Sequence, residues 1–509
     1  MNQGAKQLIK DIFVFSMGTV MTKLIQFLLM PLYTSSLTTE AYGAAELVNN
    51  LAEFFYPILT LSAFEAVLRF LVGKEYGEKT IATAGIKLMI LSAGGGIVLF
   101  SIIDLIGNYP YTTQLFWITY TYALKTMLSF FVRGKGYSKL FASSGIINAI
   151  CLAGFSVLFL VIADFGTNGY LYAIGLSYLC TSVYLIAAGK IYRDIDLKIR
   201  CRPALAEMLR FSAPLILYNI GYWLINMSGR YVLLLFTSYS VVGMYIAVMK
   251  ISSVINMFQQ ALYAALQLNN SRMFSHKERE KYYSDIFNAY AVIALTAGGW
   301  ILCFSPILVK FTLKNEFYAG HIYIPVVLLT ALMECIFSFY KTLYTACKKT
   351  RRALPSMVIG TLVNLLLCMM FVPMLEIWGV VLASLISTLF QIVYRIWDVR
   401  HFVQMKVCWV RLIPGFVGIG VQTVLLTTNW NQTILPAVIA ICLTVYFFFA
   451  YFRGLLQSLI KSGVLHVRRP RKQNIKIMGV AIFVTPSEYL KSGHVQPGQS
   501  MASSKMNSL

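Results

Sequence analysis

Residues 348–411 read KKTRRALPSMVIGTLVNLLLCMMFVPMLEIWGVVLASLISTLFQIVYRIWDVRHFVQMKVCWVR. Two apolar runs, 354–374 and 378–399, are joined by a connection whose one charge is Glu376, and each run is long enough to cross a bilayer as a helix. Lys348, Lys349, Arg351 and Arg352 precede the first run; Arg395, Arg400, Lys406 and Arg411 stand at the end of the second and beyond it. Membrane chains keep their basic residues on one side. The stretch therefore reads as a membrane hairpin with both feet on a basic face.

The same pattern extends along the 509 residues. Apolar runs give about fourteen helices, at 11–33, 41–72, 81–104, 110–132, 141–164, 168–189, 209–236, 240–268, 284–308, 321–346, 354–374, 378–399, 408–427 and 434–460. Connections on one side hold 25 Lys and Arg, while the alternate connections hold Lys310 and Lys314 alone. This asymmetry places both termini in the cytoplasm. The expected fold class is an all-α polytopic membrane protein.

Composition agrees. The chain is 58% hydrophobic and 12% charged, against about 25% charged in soluble proteins, which excludes an ordinary soluble enzyme. Most of the formal net charge of +23 lies in the basic connections and in a tail that carries Arg468, Arg469, Arg471 and Lys472. Those residues suit anionic lipid, and nucleic acid is not needed to explain them.

No catalytic residues and no metal ligands emerge. The nine cysteines are scattered without CxxC and read as small buried hydrophobes, and the five histidines include no HExxH. Gly94, Gly95 and Gly96 lack the Lys-Ser/Thr end of a phosphate loop and suit close helix packing instead. The polar, basic Met1–Lys10 leads into a long apolar run without a cleavage site, which reads as an uncleaved first span.

The longest basic connection, 190–210, follows six helices. A weak repeat supports a division there: Tyr42-Gly43 with Val48 matches Val242-Gly243 with Val248 at a shift of 200. The expected domains are helices 1–6 over 1–190, a cytoplasmic linker over 191–208, helices 7–12 over 209–400, helices 13–14 over 401–460, and a basic, disordered cytoplasmic tail over 461–509.

Charges inside the spans are the remaining signal, because each is costly in lipid unless paired or hydrated. Lys23 lies twelve residues into helix 1, about 18 Å along its axis at 1.5 Å per residue. Lys250 is about 15 Å into helix 8, and Arg230 is near the outer end of helix 7. Lys87, Lys125 and Lys341 are close enough to the basic ends to snorkel.

On helix 2, Glu46, Asn49, Asn50 and Glu53 form one polar stripe facing a hydrated interior. Glu65 and Arg69 make an i, i+4 pair, and a 32-residue helix 2 should project or bend, with Pro57 as the kink site. Glu334 and Lys341 share a face of helix 10, where Glu334 serves either structural pairing or ion coupling. Tyr56, Tyr218, Tyr222, Trp223, Tyr231 and Tyr245 read first as packing residues, with a sugar path as the alternative.

Met227-Ser228-Gly229-Arg230-Tyr231-Val232-Leu233-Leu234-Leu235, followed by Val242-Gly243-Met244-Tyr245 and Lys250-Ile251, resembles helices 7 and 8 of Wzx-type polysaccharide flippases of the MOP (MATE-like) superfamily. Phe15-Ser16 through Pro31-Leu32-Tyr33 to Ala41-Tyr42-Gly43 resembles their first outer turn. The likeness covers roughly residues 10–460.

The resemblance implies two six-helix lobes around a cavity lined by helices 1, 2, 7 and 8, plus two C-terminal helices. It implies a non-enzymatic flippase in the bacterial cytoplasmic membrane, moving undecaprenyl-diphosphate-linked oligosaccharides to the outer leaflet by alternating access. Lys23, Arg230, Lys250 and Arg69 would supply cavity charge, the helix 2 stripe would contact sugar or balance charge, and Glu53 and Glu334 would be the candidates for coupling to a proton or sodium gradient. No cofactor is expected; the expected partners are the lipid-linked glycan, the bilayer, a polysaccharide polymerase and glycosyltransferases. A lipid II flippase and a MATE-type cation exporter are the alternatives, the exporter opposed by Lys23.

Overall fold

Backbone amides and carbonyls in lipid must find partners within the chain, and helices satisfy them locally. The computed structural model describes residues 18, 20–107, 109–196, 198–199, 201–257, 259–260, 279–347, 349, 352–428, 430 and 434–461, and among them there is no strand. The chain divides into a compact unit, Met1–Phe452, and a second unit, Arg453–Leu509. The expected basic tail, the start of helix 1 and the end of helix 8 lie outside the described residues.

Helix α1 comprises residues 20–28 and, past a turn at Leu29, Met30–Ser36. Helix α2 is Thr39–Leu59 and α3 is Ala63–Gly73. Then follow α4 (Glu78–Gly107), α5 (Thr112–Gly134), α6 (Ser138–Ser156, continued by a π-helical turn to Ile162) and α7 (Gly166–Ala188). The later helices are α8 (Arg202–Phe236), α9 (Tyr239–Ile251), α10 (Arg279–Thr312), α11 (Ile324–Ala346), α12 (Ala353–Leu375), α13 (Ile377–Val399), α14 (Trp409–Thr428) and α15 (Ile434–Lys461). A 3-10 segment, Asn315–Tyr323, separates α10 from α11.

A helix stands at each of the fourteen expected places. Ten spans among the described residues are long and apolar enough to cross a membrane, and α2 with α3 makes an eleventh if that bent pair is one span. The other three places hold α1, α8 and α15; the shorter apolar stretches Met227–Phe236 and Ile434–Ala450 mark the last two.

The expected bend in helix 2 is a 56° break. Pro57 has no amide to continue the helix, and Leu61 and Ser62 take left-handed conformations with φ of 50° and 53°. The Ser62 amide closes the break by donating to the Pro57 carbonyl at 2.8 Å. At the other end, before the start of α2, Thr38 caps the helix by accepting from the Ala41 amide at 3.2 Å.

Two buried clusters organise the compact unit. One joins α1, α2 and α7 to α9, α10, α11 and α13 through residues such as Tyr42, Val48, Tyr170, Val248, Phe287 and Phe339. The other joins α3, α4 and α5 to Cys201 and Met208 at the start of α8. Helix α8 thus begins at Arg202, seven residues before the expected 209, because its first turns have an apolar surface to cover.

The connection before α8 is pinned to α4 and α5. Lys87 Nζ donates to the Ile199 carbonyl at 2.9 Å, and Lys135 bridges Glu78 at 2.8 Å and Asp194 at 2.7 Å. Of the glycine triplet, Gly96 alone packs, against Phe116; Gly94 and Gly95 face open space, contrary to the packing role expected for them.

Candidate functional site between helices α2, α8 and α9

Helices α2 and α9 cross at Gly43 and Gly243. A Cβ added to Gly43 would lie 2.1 Å from the Tyr239 carbonyl oxygen, and one on Gly243 would lie 2.0 Å from the Thr39 carbonyl oxygen. Contacts that short exclude any side chain, so only glycine lets the backbones meet. The two residues of the weak 200-residue repeat are therefore touching neighbours.

Polar contacts lock this end, the one away from the basic connections. Glu316 Oε2 accepts from the Thr39 amide at 3.2 Å and from Thr39 Oγ1 at 2.9 Å. With its single proton committed to that carboxylate, Thr39 Oγ1 accepts from Ser240 Oγ at 2.6 Å.

One helical turn further along α2, Glu46 meets Lys250 of α9 at 3.0 Å. Tyr170 Oη and Tyr42 Oη donate to the same carboxylate oxygen at 2.8 and 3.2 Å. The acid is buried, at 3% side-chain exposure, while Lys250 is 41% exposed. A charge so buried needs this many donors to offset its lost hydration.

Helix α8 docks on the adjoining face of α2. Trp223 Nε1 donates to the Asn50 carbonyl at 2.8 Å, and Tyr231 Oη donates to the Leu47 carbonyl at 3.3 Å. Near the helix break, Asn219 Nδ2 donates to Ser62 Oγ at 3.1 Å. Trp223 also packs on Phe54, with ring centroids 4.8 Å apart.

The polar stripe is divided rather than uniformly hydrated. Glu46 and Asn50 are buried, whereas Asn49 and Glu53 are half-buried. Asn50 Nδ2 has no hydrogen-bond partner among the described residues. Glu53 lies within electrostatic range of Arg230, Lys250 and Lys125 and makes no salt bridge among the described residues.

The expected cations fare differently. Lys250 is neutralised by Glu46. Arg230 acts on Glu46 and Glu53 from beyond salt-bridge distance, and Lys23 is half-buried without a salt bridge among the described residues. Arg69 is exposed and pairs with Glu75 at 3.1 Å, so the expected Glu65–Arg69 pair does not form. Past the end of α3 the chain turns back and brings Glu75 within reach.

Lys125 does not snorkel. Its ammonium sits 4.8 Å from the Tyr178 ring centre and 5.5 Å from that of Tyr122, an inward aromatic seat on the side of α5 that faces Glu53. Glu334 carries Lys341 on one oxygen and Arg395 on the other, the latter at 3.3 Å. Arg395, expected in a basic connection, is 2% exposed and also donates to Gln391 at 2.7 Å.

Of the aromatics, Trp223 and Tyr231 dock α8, Tyr56 packs edge-on to Tyr122, and Tyr245 is buried. Tyr218 and Tyr222 are exposed. Sequence reasoning missed Tyr42 and Tyr170 as donors to Glu46. Tyr42 precedes Glu46 by four residues and was legible as a same-face pair; nothing local announces Tyr170.

Known proteins fit this architecture. The family model described as polysaccharide biosynthesis protein matches residues 8–266. No curated protein matches the sequence.

Among solved structures, a lipid II flippase in an inward closed conformation has a TM-score of 0.60 at 14% identity, covering 87% of this chain and 100% of that one. An inward-facing multidrug resistance MATE transporter has 0.57 at 14%, covering 83% and 99%. A MOP superfamily transporter from Pyrococcus furiosus has 0.52 at 15%, covering 78% and 98%. The chain therefore belongs to the polysaccharide biosynthesis protein family, the flippase family that its seventh and eighth helices resemble, and has the fold of MOP-superfamily transporters.

Proposed function

We propose that this protein moves an oligosaccharide carried on undecaprenyl diphosphate from the cytoplasmic to the outer leaflet of a bacterial plasma membrane. The observation that carries the reading is the placement of Lys23 on α1 and Arg230 on α8, both half-buried and without salt bridges among the described residues. An unpaired cation in lipid costs up to about 3 kcal/mol on insertion scales, and a diphosphate entering between the helices offsets that cost. Family membership supports a polysaccharide substrate.

In this reading the basic end faces the cytoplasm. The Gly43–Gly243 crossing and the Thr39–Ser240–Glu316 cluster are the closed outer gate, and the two six-helix lobes rock about it. Asn50 Nδ2 is the donor left for a sugar hydroxyl. Coupling to an ion gradient rests on Glu53, because both oxygens of Glu334 already hold cations.

The test is to deplete the protein in its native cell and identify the lipid-linked species that accumulates. The reading expects an undecaprenyl-diphosphate oligosaccharide of a surface polysaccharide. Accumulation of lipid II with unchanged surface glycan would replace it with peptidoglycan precursor transport.

A further inference from the structure

Away from α2, α8 and α9, the start of α12 and the end of α13 flank an open pocket of about 380 Å³ lined by Arg352, Pro355, Tyr394, Trp397, Asp398 and His401. Arg352 is 52% exposed, and its Nη1 stands 3.6 Å from Asp398 Oδ1. That spacing orients the guanidinium without saturating it, so N–H groups remain to donate to a ligand.

His401 Nδ1 lies 3.0 Å from the Trp397 carbonyl and 3.3 Å from that of Asp398. Carbonyls only accept, so Nδ1 carries a proton and Nε2 is the ring atom left for a ligand. Trp397 stands edge-on to His401 with centroids 4.9 Å apart; outside the pocket's lining, the exposed Lys349 sits over the Phe402 ring at 4.8 Å and the exposed Arg400 lines a neighbouring pocket.

The pocket sits where two spans end, and apolar surface continues from it along both helices. Leu354 and Val358 on α12, and Val393 on α13, are exposed. Cations and an interfacial tryptophan above an exposed apolar track have the chemistry of a phospholipid, phosphate at the top and acyl chains below. Asp398 balances Arg352 within the lining, and the exposed Lys349 and Arg400 at the same helix ends add a positive field, so the preferred head group is anionic. We infer that this pocket binds an anionic phospholipid of the leaflet at the basic end, its phosphate on Arg352 and a head-group hydroxyl donating to His401 Nε2.

The full chain, purified in detergent and offered equimolar phosphatidylglycerol and phosphatidylcholine, tests this by native mass spectrometry of the retained lipid. Phosphatidylglycerol should be preferred, and Arg352→Gln should cut that preference about fivefold. Arg352→Lys and the distant same-end control Lys79→Gln should keep most of it, and millimolar inorganic phosphate should not displace the lipid. Equal retention of the two lipids by the unaltered protein would overturn the inference, as would an undiminished preference in Arg352→Gln or displacement by free phosphate. The readout counts lipid on folded protein, so a variant that unfolds is replaced by His401→Gln, which must also lower the preference.

Discussion

Glu46 on α2 and Lys250 on α9 form an ion pair of 3.0 Å in which the acid is buried and the base is 41% exposed. The pair joins helices from the two halves of the chain, one turn from the glycine contact that brings them together. Its burial is one-sided, and so are its consequences.

Removing Lys250 strands a buried carboxylate, whereas neutralising Glu46 leaves an ammonium with access to water. Lys250→Ala should lower stability by about 3 kcal/mol, and Glu46→Gln by about 1 kcal/mol. Thermal unfolding of the purified variants checks the order. A larger loss for Glu46→Gln would show that the two tyrosine hydroxyls alone can hold the carboxylate.

The glycine crossing makes a sharper claim, since a methyl group there would stand about 2 Å from a carbonyl oxygen. Gly43→Ala or Gly243→Ala should force the helices apart at a cost of about 1–3 kcal/mol. Disulfide crosslinking of Thr39→Cys with Ser240→Cys reports the separation. Either alanine should reduce the crosslink several-fold, and an unchanged yield would contradict the described contact.

Lys125 is held by aromatic faces. A double-mutant cycle of Lys125→Met with Tyr178→Leu should give a coupling of about 1–2 kcal/mol in unfolding free energy. A coupling near zero would return Lys125 to the snorkelling role that its position in sequence suggested.

The two candidate coupling carboxylates should separate cleanly. Glu334→Gln leaves Arg395 buried beside a neutral amide and should destabilise the protein by about 3 kcal/mol without changing how transport depends on pH. Glu53→Gln should fold normally and flatten that pH dependence. Transport measured in proteoliposomes across a pH series tests both, and the reverse pattern would move coupling to Glu334.

Much of the fold was legible because lipid leaves few options. Apolar run length and basic connections located a helix at every expected place, and Pro57 marked the 56° break within a few residues. The charges were less legible, because their fate depends on contacts remote in sequence. Lys250 and Glu46 are 204 residues apart, and a run of letters cannot show that two weakly matching glycines meet in space.

Distance from a span end also misled. Lys125 lay near enough to a basic end to snorkel but turned to Tyr122 and Tyr178. Arg395 was counted with the loops although Glu334 and Gln391 draw it into the core. Arg69 found Glu75 after a turn that its i, i+4 partner could not foretell.

The central claim is that intramembrane cations receive a lipid diphosphate, and Arg230 is its most direct test. Surface polysaccharide and inner-leaflet precursor should be measured in cells whose own copy is replaced by Arg230→Ala, Arg230→Lys or the unaltered chain at equal protein levels. The account predicts that Arg230→Ala lowers surface polysaccharide about tenfold or more while the diphosphate-linked precursor accumulates, with Arg230→Lys between the two. Undiminished export by Arg230→Ala at normal protein levels would contradict it.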